Sequence, residues 1–343
     1  MKGKQQLDSL ILLRVIAVIM VCFCHYGNAL SEGHRFAGLF RIFSDYGNYG
    51  VHVFFVISGF VIPLSFARGN YKLYHYPRFL YKRFLRLHPP YLAALALTLI
   101  ISFASYQVRN LPFPEDALSI LKSTLYLHLP SSNPVFWTLA IEAQYYLFIG
   151  LFYIALVKYP RKSIFIFIPV LLVLSQLSFV HIEFLNFLIF FLMGTIGFLI
   201  YNNMGNRILN SYTLAGLIIF MVIFYDIEES IAACSTLLFI LLYRKPIPKY
   251  LKFPGMISYS IYLIHFPLGI KFINLIKHKI PLSYSWVLFS VTMILVFAAS
   301  YLFYRVFELH SEKLSKKIKY ISNTTEKSRI VKLNLLGQDK VRI

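Results

Sequence analysis

Ten apolar stretches, near 9–29, 49–67, 88–107, 136–157, 163–180, 184–201, 209–225, 227–243, 255–274 and 285–307, constrain this chain more than any other feature. About 20 apolar residues in a helix cross the hydrocarbon core of a bilayer. Lipid offers no partner for backbone N–H and C=O groups, so such stretches fold as helices that satisfy themselves. The expected fold is therefore all-α: a polytopic membrane helix bundle of about ten transmembrane helices. Composition agrees, since 58% of the 343 residues are hydrophobic and only 14% charged. Soluble domains run closer to 45–50% apolar and about a quarter charged.

The net charge of +20 would suggest nucleic acid in a soluble protein. In a membrane chain it reads as topology and contact with anionic headgroups. With ten spans and the amino end inside, most of the 34 Lys and Arg residues fall on the inner side. The positive-inside rule then puts both termini in the cytoplasm. Arg14 interrupts the first apolar stretch and no small-residue cleavage site follows, so this stretch reads as a retained span. Residues 1–310 form the expected membrane domain, and 311–343 a basic cytoplasmic tail. Two outer loops, 30–48 and 108–135, are long. Cys22, Cys24 and Cys234 read as buried thiols with neither zinc nor haem spacing, and no metal site is expected.

Polar residues inside spans are costly and mark sites or pathways. Arg14 and His25 stand eleven residues apart, which leaves about 20° of offset and about 16 Å of axial separation on one helix face. A snorkelling arginine with an interfacial histidine is the plain alternative. Glu142, beside Trp137, Tyr145 and Tyr146 in sequence, is the one carboxylate well inside a span. It reads as a site residue or as a hydrogen-bonding hub of the bundle. Lys82, Arg83 and Arg86 form a basic stripe before the Pro89–Pro90 pair, suited to lipid headgroups or to a phosphate-rich cytosolic ligand. Ser58 and Gly59 lie midway along the second span, where small residues also permit close helix packing. Ser258, Tyr262 and His265 share a face at i, i+4 and i+7, and His265 can equally be a satisfied core histidine.

Several of these segments, in order from about residue 7 to 308, resemble the acyltransferase-3 family of membrane O-acyltransferases. "LDSLILLRVIAVIMVCFCH" resembles its first helix, and "GVHVFFVISGF" its G-V-D-x-F-F-V-x-S-G-F motif. "RFLRLHPPY", "FWTLAIEAQYY" and "ISYSIYLIHFP" are similar to R-x-x-R-x-x-P, W-S-L-x-x-E-x-Q-F-Y and S-Y-x-x-Y-L-x-H-x-P. The chain departs from the pattern at His52, usually aspartate, and at Ala143, where a second glutamate is frequent.

The resemblance implies acyl transfer, most often of acetyl from acetyl-CoA, to a hydroxyl of a cell-surface or lipid-linked glycan. It implies a multi-pass protein of the bacterial inner membrane that works alone or with a separate extracytoplasmic partner. By position, His25 is the catalytic base and Glu142 its orienting carboxylate, while Arg14, Arg83 and Arg86 hold the phosphates of coenzyme A. A transporter or flippase for a glycan or lipid-linked intermediate is the rival reading, because it too would line a route with buried Arg, His and Glu. Transporters of that kind carry repeats or paired broken helices, which this sequence lacks.

Overall fold

The computed structural model describes residues 2–31, 37–177 and 182–320. Among these residues every regular element is helical. The first half comprises α1 (Lys2–Leu30), α2 (Ala37–Gly47), α3 (Gly50–Arg68), α4 (Tyr76–Val108), α5 (Ala117–Thr124) and α6 (Trp137–Lys158). Next come α7 (Pro160–Lys162), α8 (Ile168–Ser175), α9 (Glu183–Tyr201), α10 (Arg207–Phe224) and α11 (Ile227–Leu242). The chain closes with α12 (Lys249–Met256), α13 (Ser258–His265), α14 (Lys271–Ile276), α15 (Ser285–Phe303) and α16 (Leu309–Lys317). Single π-helical turns, Ser163–Phe167, Phe266–Ile270 and Tyr304–Glu308, join α7 to α8, α13 to α14 and α15 to α16.

Among the described residues, eight helical segments are long and apolar enough to cross a membrane. Of the other two expected spans, 163–180 ends outside the described residues. The other, 227–243, corresponds to α11, which has 16 residues, and such a helix covers about 24 Å against a hydrocarbon thickness of about 30 Å. Large apolar side chains point outward along the bundle, among them Ile223, Leu242, Ile294 and Leu302, each about two-thirds exposed. Such a surface belongs in lipid rather than water.

Close packing fixes the centre. A Cβ on Gly59 would lie 2.2 Å from the Phe191 carbonyl oxygen, and one on Gly194 would lie 2.2 Å from that of Val56. Only glycine lets α3 and α9 approach this closely, and Thr195 Oγ1 adds a hydrogen bond of 3.1 Å to the Gly59 carbonyl. The small pair at residues 58–59 therefore divides its work: Gly59 packs the helices, and Ser58 faces a cavity.

Three expectations shift. The stretch 30–48, read as an outer loop, contains α2, which packs on α1 through Phe43 against Phe23, ring centres 4.7 Å apart. Helix α4 runs unbroken through the Pro89–Pro90 pair instead of starting there. Its cationic first turns and apolar later turns thus form one rod, with Tyr259 donating its hydroxyl to the Leu87 carbonyl beside the prolines at 2.8 Å. Finally, α16 continues past residue 310 and docks on α4, where Ser315 Oγ donates to the Lys82 carbonyl at 3.0 Å. Most of the expected basic tail, residues 321–343, lies outside the described residues.

Candidate active site

Five helices, α1, α3, α4, α6 and α13, enclose a cavity of about 110 Å³. Arg14, Ser58, Arg83, Arg86, Glu142, Tyr146, Ser258 and Tyr262 line it, along with Thr138, Tyr259 and apolar side chains. Residues scattered over 250 positions of sequence therefore meet, because each motif sits on a helix that turns its polar face inward. Glu142 Oε1 accepts hydrogen bonds from Ser58 Oγ at 3.1 Å and from the Tyr146 hydroxyl. The Arg14 guanidinium lines the same cavity as this carboxylate.

The two arginines of the α4 stripe have different surroundings. Arg83 makes no ion pair among the described residues; its guanidinium lies over the rings of Phe79 and Tyr146, 5.7 and 5.6 Å from their centres. Arg86 is held by two carboxylates, Glu308 at 3.3 Å and Glu312 at 3.0 Å. Glu308 is fully buried and also accepts from the backbone N–H and hydroxyl of Ser260, at 3.1 and 2.6 Å. Of the two cavity-lining arginines of α4, Arg83 is the one with no carboxylate partner among the described residues. Lys82 packs toward Tyr320, 5.4 Å from its ring centre, and does not line the cavity.

His25 lines a second cavity, of about 70 Å³, together with Cys24, Asn48, Trp137 and Val135. Val51 and Tyr262 line both cavities. They form the wall between them, and the Tyr262 hydroxyl is fixed there by Thr138 Oγ1 at 2.6 Å and the Val135 carbonyl at 2.9 Å. Arg14 and His25 thus both face the interior of the bundle, as their spacing on α1 implies, but line separate cavities. The expected Glu142 to His25 hydrogen bond is not formed, since Glu142 belongs to the compartment of Arg14. Against the His25 ring stand His265, with ring centres 5.3 Å apart, and Phe266, at 5.0 Å.

Of the two neighbouring tyrosines, Tyr146 faces the cavity, whereas Tyr145 stacks on Phe191 with ring centres 4.0 Å apart. Trp137 packs on Phe187, 4.9 Å between centres, at the edge of the His25 compartment. A third cavity, about 240 Å³ and mostly apolar, lies between α4 and α6 and shares Arg83, Leu87, Leu139 and Tyr146 with the first. Ala143, where the motif often carries glutamate, lines it.

Thr138, Tyr259, Glu308 and Asn133 escaped sequence reasoning. Thr138 and Tyr259 each adjoin a residue that was singled out, and helical phase alone could have drawn them in. Nothing local marks Glu308, because its partner Arg86 is 222 positions away.

A helix bundle with an outward apolar surface and an inward Arg, Glu and His constellation defines a multi-pass membrane protein with polar residues lining its interior cavities. The chain belongs to the acyltransferase family: it matches the family described as acyltransferase domain over residues 7–305 of its 343. It is a membrane-integral acyltransferase. Neither a curated protein nor a solved structure matches it.

Proposed function

We propose that this protein is an O-acyltransferase that takes an acyl group, most often acetyl, from cytosolic acyl-CoA. It passes that group to a hydroxyl of a cell-surface or lipid-linked glycan at the opposite side of a bacterial inner membrane. Both chain ends face the cytoplasm in this reading. The observation that carries it is the succession of two compartments, one cationic and one containing an imidazole, with Tyr262 and Val51 common to both.

Coenzyme A is polyanionic, and Arg83 and Arg14 offer guanidinium donors suited to phosphate. Arg86 contributes mainly by bracing the site through Glu308 and Glu312. In the transfer, the acceptor oxygen bonds to the thioester carbonyl carbon and the carbon–sulfur bond breaks. His25 takes the hydroxyl proton and returns it to the departing thiolate, a general-base role that contributes typically 10²–10⁴-fold. Ser58, Tyr146 and Glu142 shape the polar chamber through which the thioester approaches.

The test is thioester consumption by the purified protein, paired with the acetyl content of the surface glycan in cells. His25→Ala should abolish transfer while the protein stays in the membrane, and undiminished glycan acetylation in that variant would sink the base assignment. A flippase would leave acetyl-CoA intact in the same assay.

A further inference from the structure

A histidine that serves as a base is normally oriented through its second ring nitrogen, commonly by a carboxylate. Glu142 does not supply that contact here, and His25 makes no hydrogen bond among the described residues. Its neighbour is instead a second imidazole.

The backbone around His265 is pinned from several sides. Helix α13 ends at His265 and the π-helical turn Phe266–Ile270 follows; π turns of this kind recur at functional sites. Pro267 has no N–H to offer four residues back. The Leu263 carbonyl accepts instead from Asn133 Nδ2 at 3.3 Å. The His265 carbonyl accepts from the Tyr26 hydroxyl at 3.0 Å. Gly269 makes that approach possible, because a Cβ there would lie 2.3 Å from the Tyr26 hydroxyl oxygen.

The side chain is equally defined. His265 Nδ1 lies 2.7 Å from the Tyr262 carbonyl oxygen. A carbonyl only accepts, so Nδ1 carries the proton and Nε2 is a bare acceptor. That Nε2 is buried without a partner among the described residues, in a residue with 0% exposure. Buried acceptors are rarely left so. The one other imidazole within ring contact is His25, tilted by 37° at 5.3 Å between centres.

We propose that His265 is a positioning residue for the base: its Nε2 accepts the ring N–H of His25, leaving the other His25 nitrogen free for the acceptor hydroxyl. This rests on the acyltransferase reading above. The acceptor proton then moves onto His25, whose N–H bond to His265 strengthens as the ring becomes charged. When the proton passes to the thiolate, the pair returns to its starting tautomers. The Tyr262 carbonyl thereby links the wall between the compartments to the base through a single imidazole.

The test uses the full chain in detergent micelles with ring nitrogens of histidine labelled with 15N. Long-range proton–nitrogen correlation should report His265 as the Nδ1–H tautomer. His265→Leu should change the His25 nitrogen shifts, and unchanged shifts in a folded variant overturn the proposal. If His265→Leu does not fold, His265→Gln decides, since its amide oxygen can accept as Nε2 does. Its His25 shifts should stay near the wild-type values, and a move to those of a free imidazole counts against the pair. In membranes carrying the native acceptor, His265→Leu should lower kcat by about 100-fold with the KM for acetyl-CoA unchanged. His265→Gln should recover most of that loss; equal losses in both, or none in the leucine variant, overturn the proposal. If the wild type consumes no acetyl-CoA, the acyl-transfer reading fails, while the nitrogen shifts still judge the pair.

Discussion

Replacing the two arginines of the α4 stripe one at a time should separate binding from bracing. Arg83 has donors free for an anionic donor substrate, whereas Arg86 is engaged by Glu308 and Glu312 at 3.3 and 3.0 Å. A charge-assisted hydrogen bond to phosphate is worth about 1.5–3 kcal/mol. Arg83→Gln should therefore raise the KM for acetyl-CoA by about 10- to 150-fold and leave the thermal midpoint in detergent nearly unchanged. Arg86→Gln leaves the Glu308 carboxylate, fully buried, with only the two Ser260 donors. Breaking a buried pair costs about 3–5 kcal/mol, which corresponds to a midpoint lower by on the order of 5–10 °C. Its effect on KM should be the smaller of the two. Scanning fluorimetry and steady-state thiol release on the same preparations read both quantities. Equal rises in KM with equal midpoints would refute the division, since both arginines would then be serving the donor alike.

Three further outcomes follow from the packing and the site. Gly194→Ala forces a Cβ to within 2.2 Å of the Val56 carbonyl and should cost about 1–3 kcal/mol in unfolding titrations, whereas Gly216→Ala, with nothing within 4 Å, should cost no more than a surface change. Tyr146→Phe removes a donor to Glu142 and should lower turnover, while Tyr145→Phe, whose ring packs on Phe191 away from the cavity, should not. Asp116 caps α5 by accepting from the Ser119 hydroxyl and backbone N–H, and these bonds hold its carboxyl below the usual range. The cap is in force above the ordinary aspartate range and fails as pH falls through that depressed value. Amide protection relative to the intrinsic exchange rate across Ala117–Thr124 should drop only there, and a drop already complete near neutrality would contradict it.

Much of this architecture was legible because lipid writes itself into sequence. Span lengths follow from bilayer thickness, and eight of the ten expected segments are helices long and apolar enough to cross. The common face of Arg14 and His25 was equally readable, since eleven residues nearly close a whole number of turns. Helix α2 was not: its Leu39, Phe40, Ile42 and Phe43 are too few to suggest a span, and its glycines and Asp45 resemble loop residues. Proline reasoning placed a helix start at Pro89, yet α4 continues unbroken through the pair. Span position and motif resemblance pair Glu142 with His25. They could not register the Val51 and Tyr262 wall, because register between helices is decided by contacts such as Gly59 on Phe191 rather than by hydropathy.

That wall has a consequence for the cell. A protein hollowed from within is close to being a leak, and an energised membrane tolerates no continuous water column for protons or ions. Tyr262, tethered at both its hydroxyl contacts, would work as a bulkhead in the transfer proposed above: only the acyl fragment would pass it, while donor and acceptor each kept to their own side. Shaving that ring down should therefore first appear as loss of membrane potential, before any loss of chemistry.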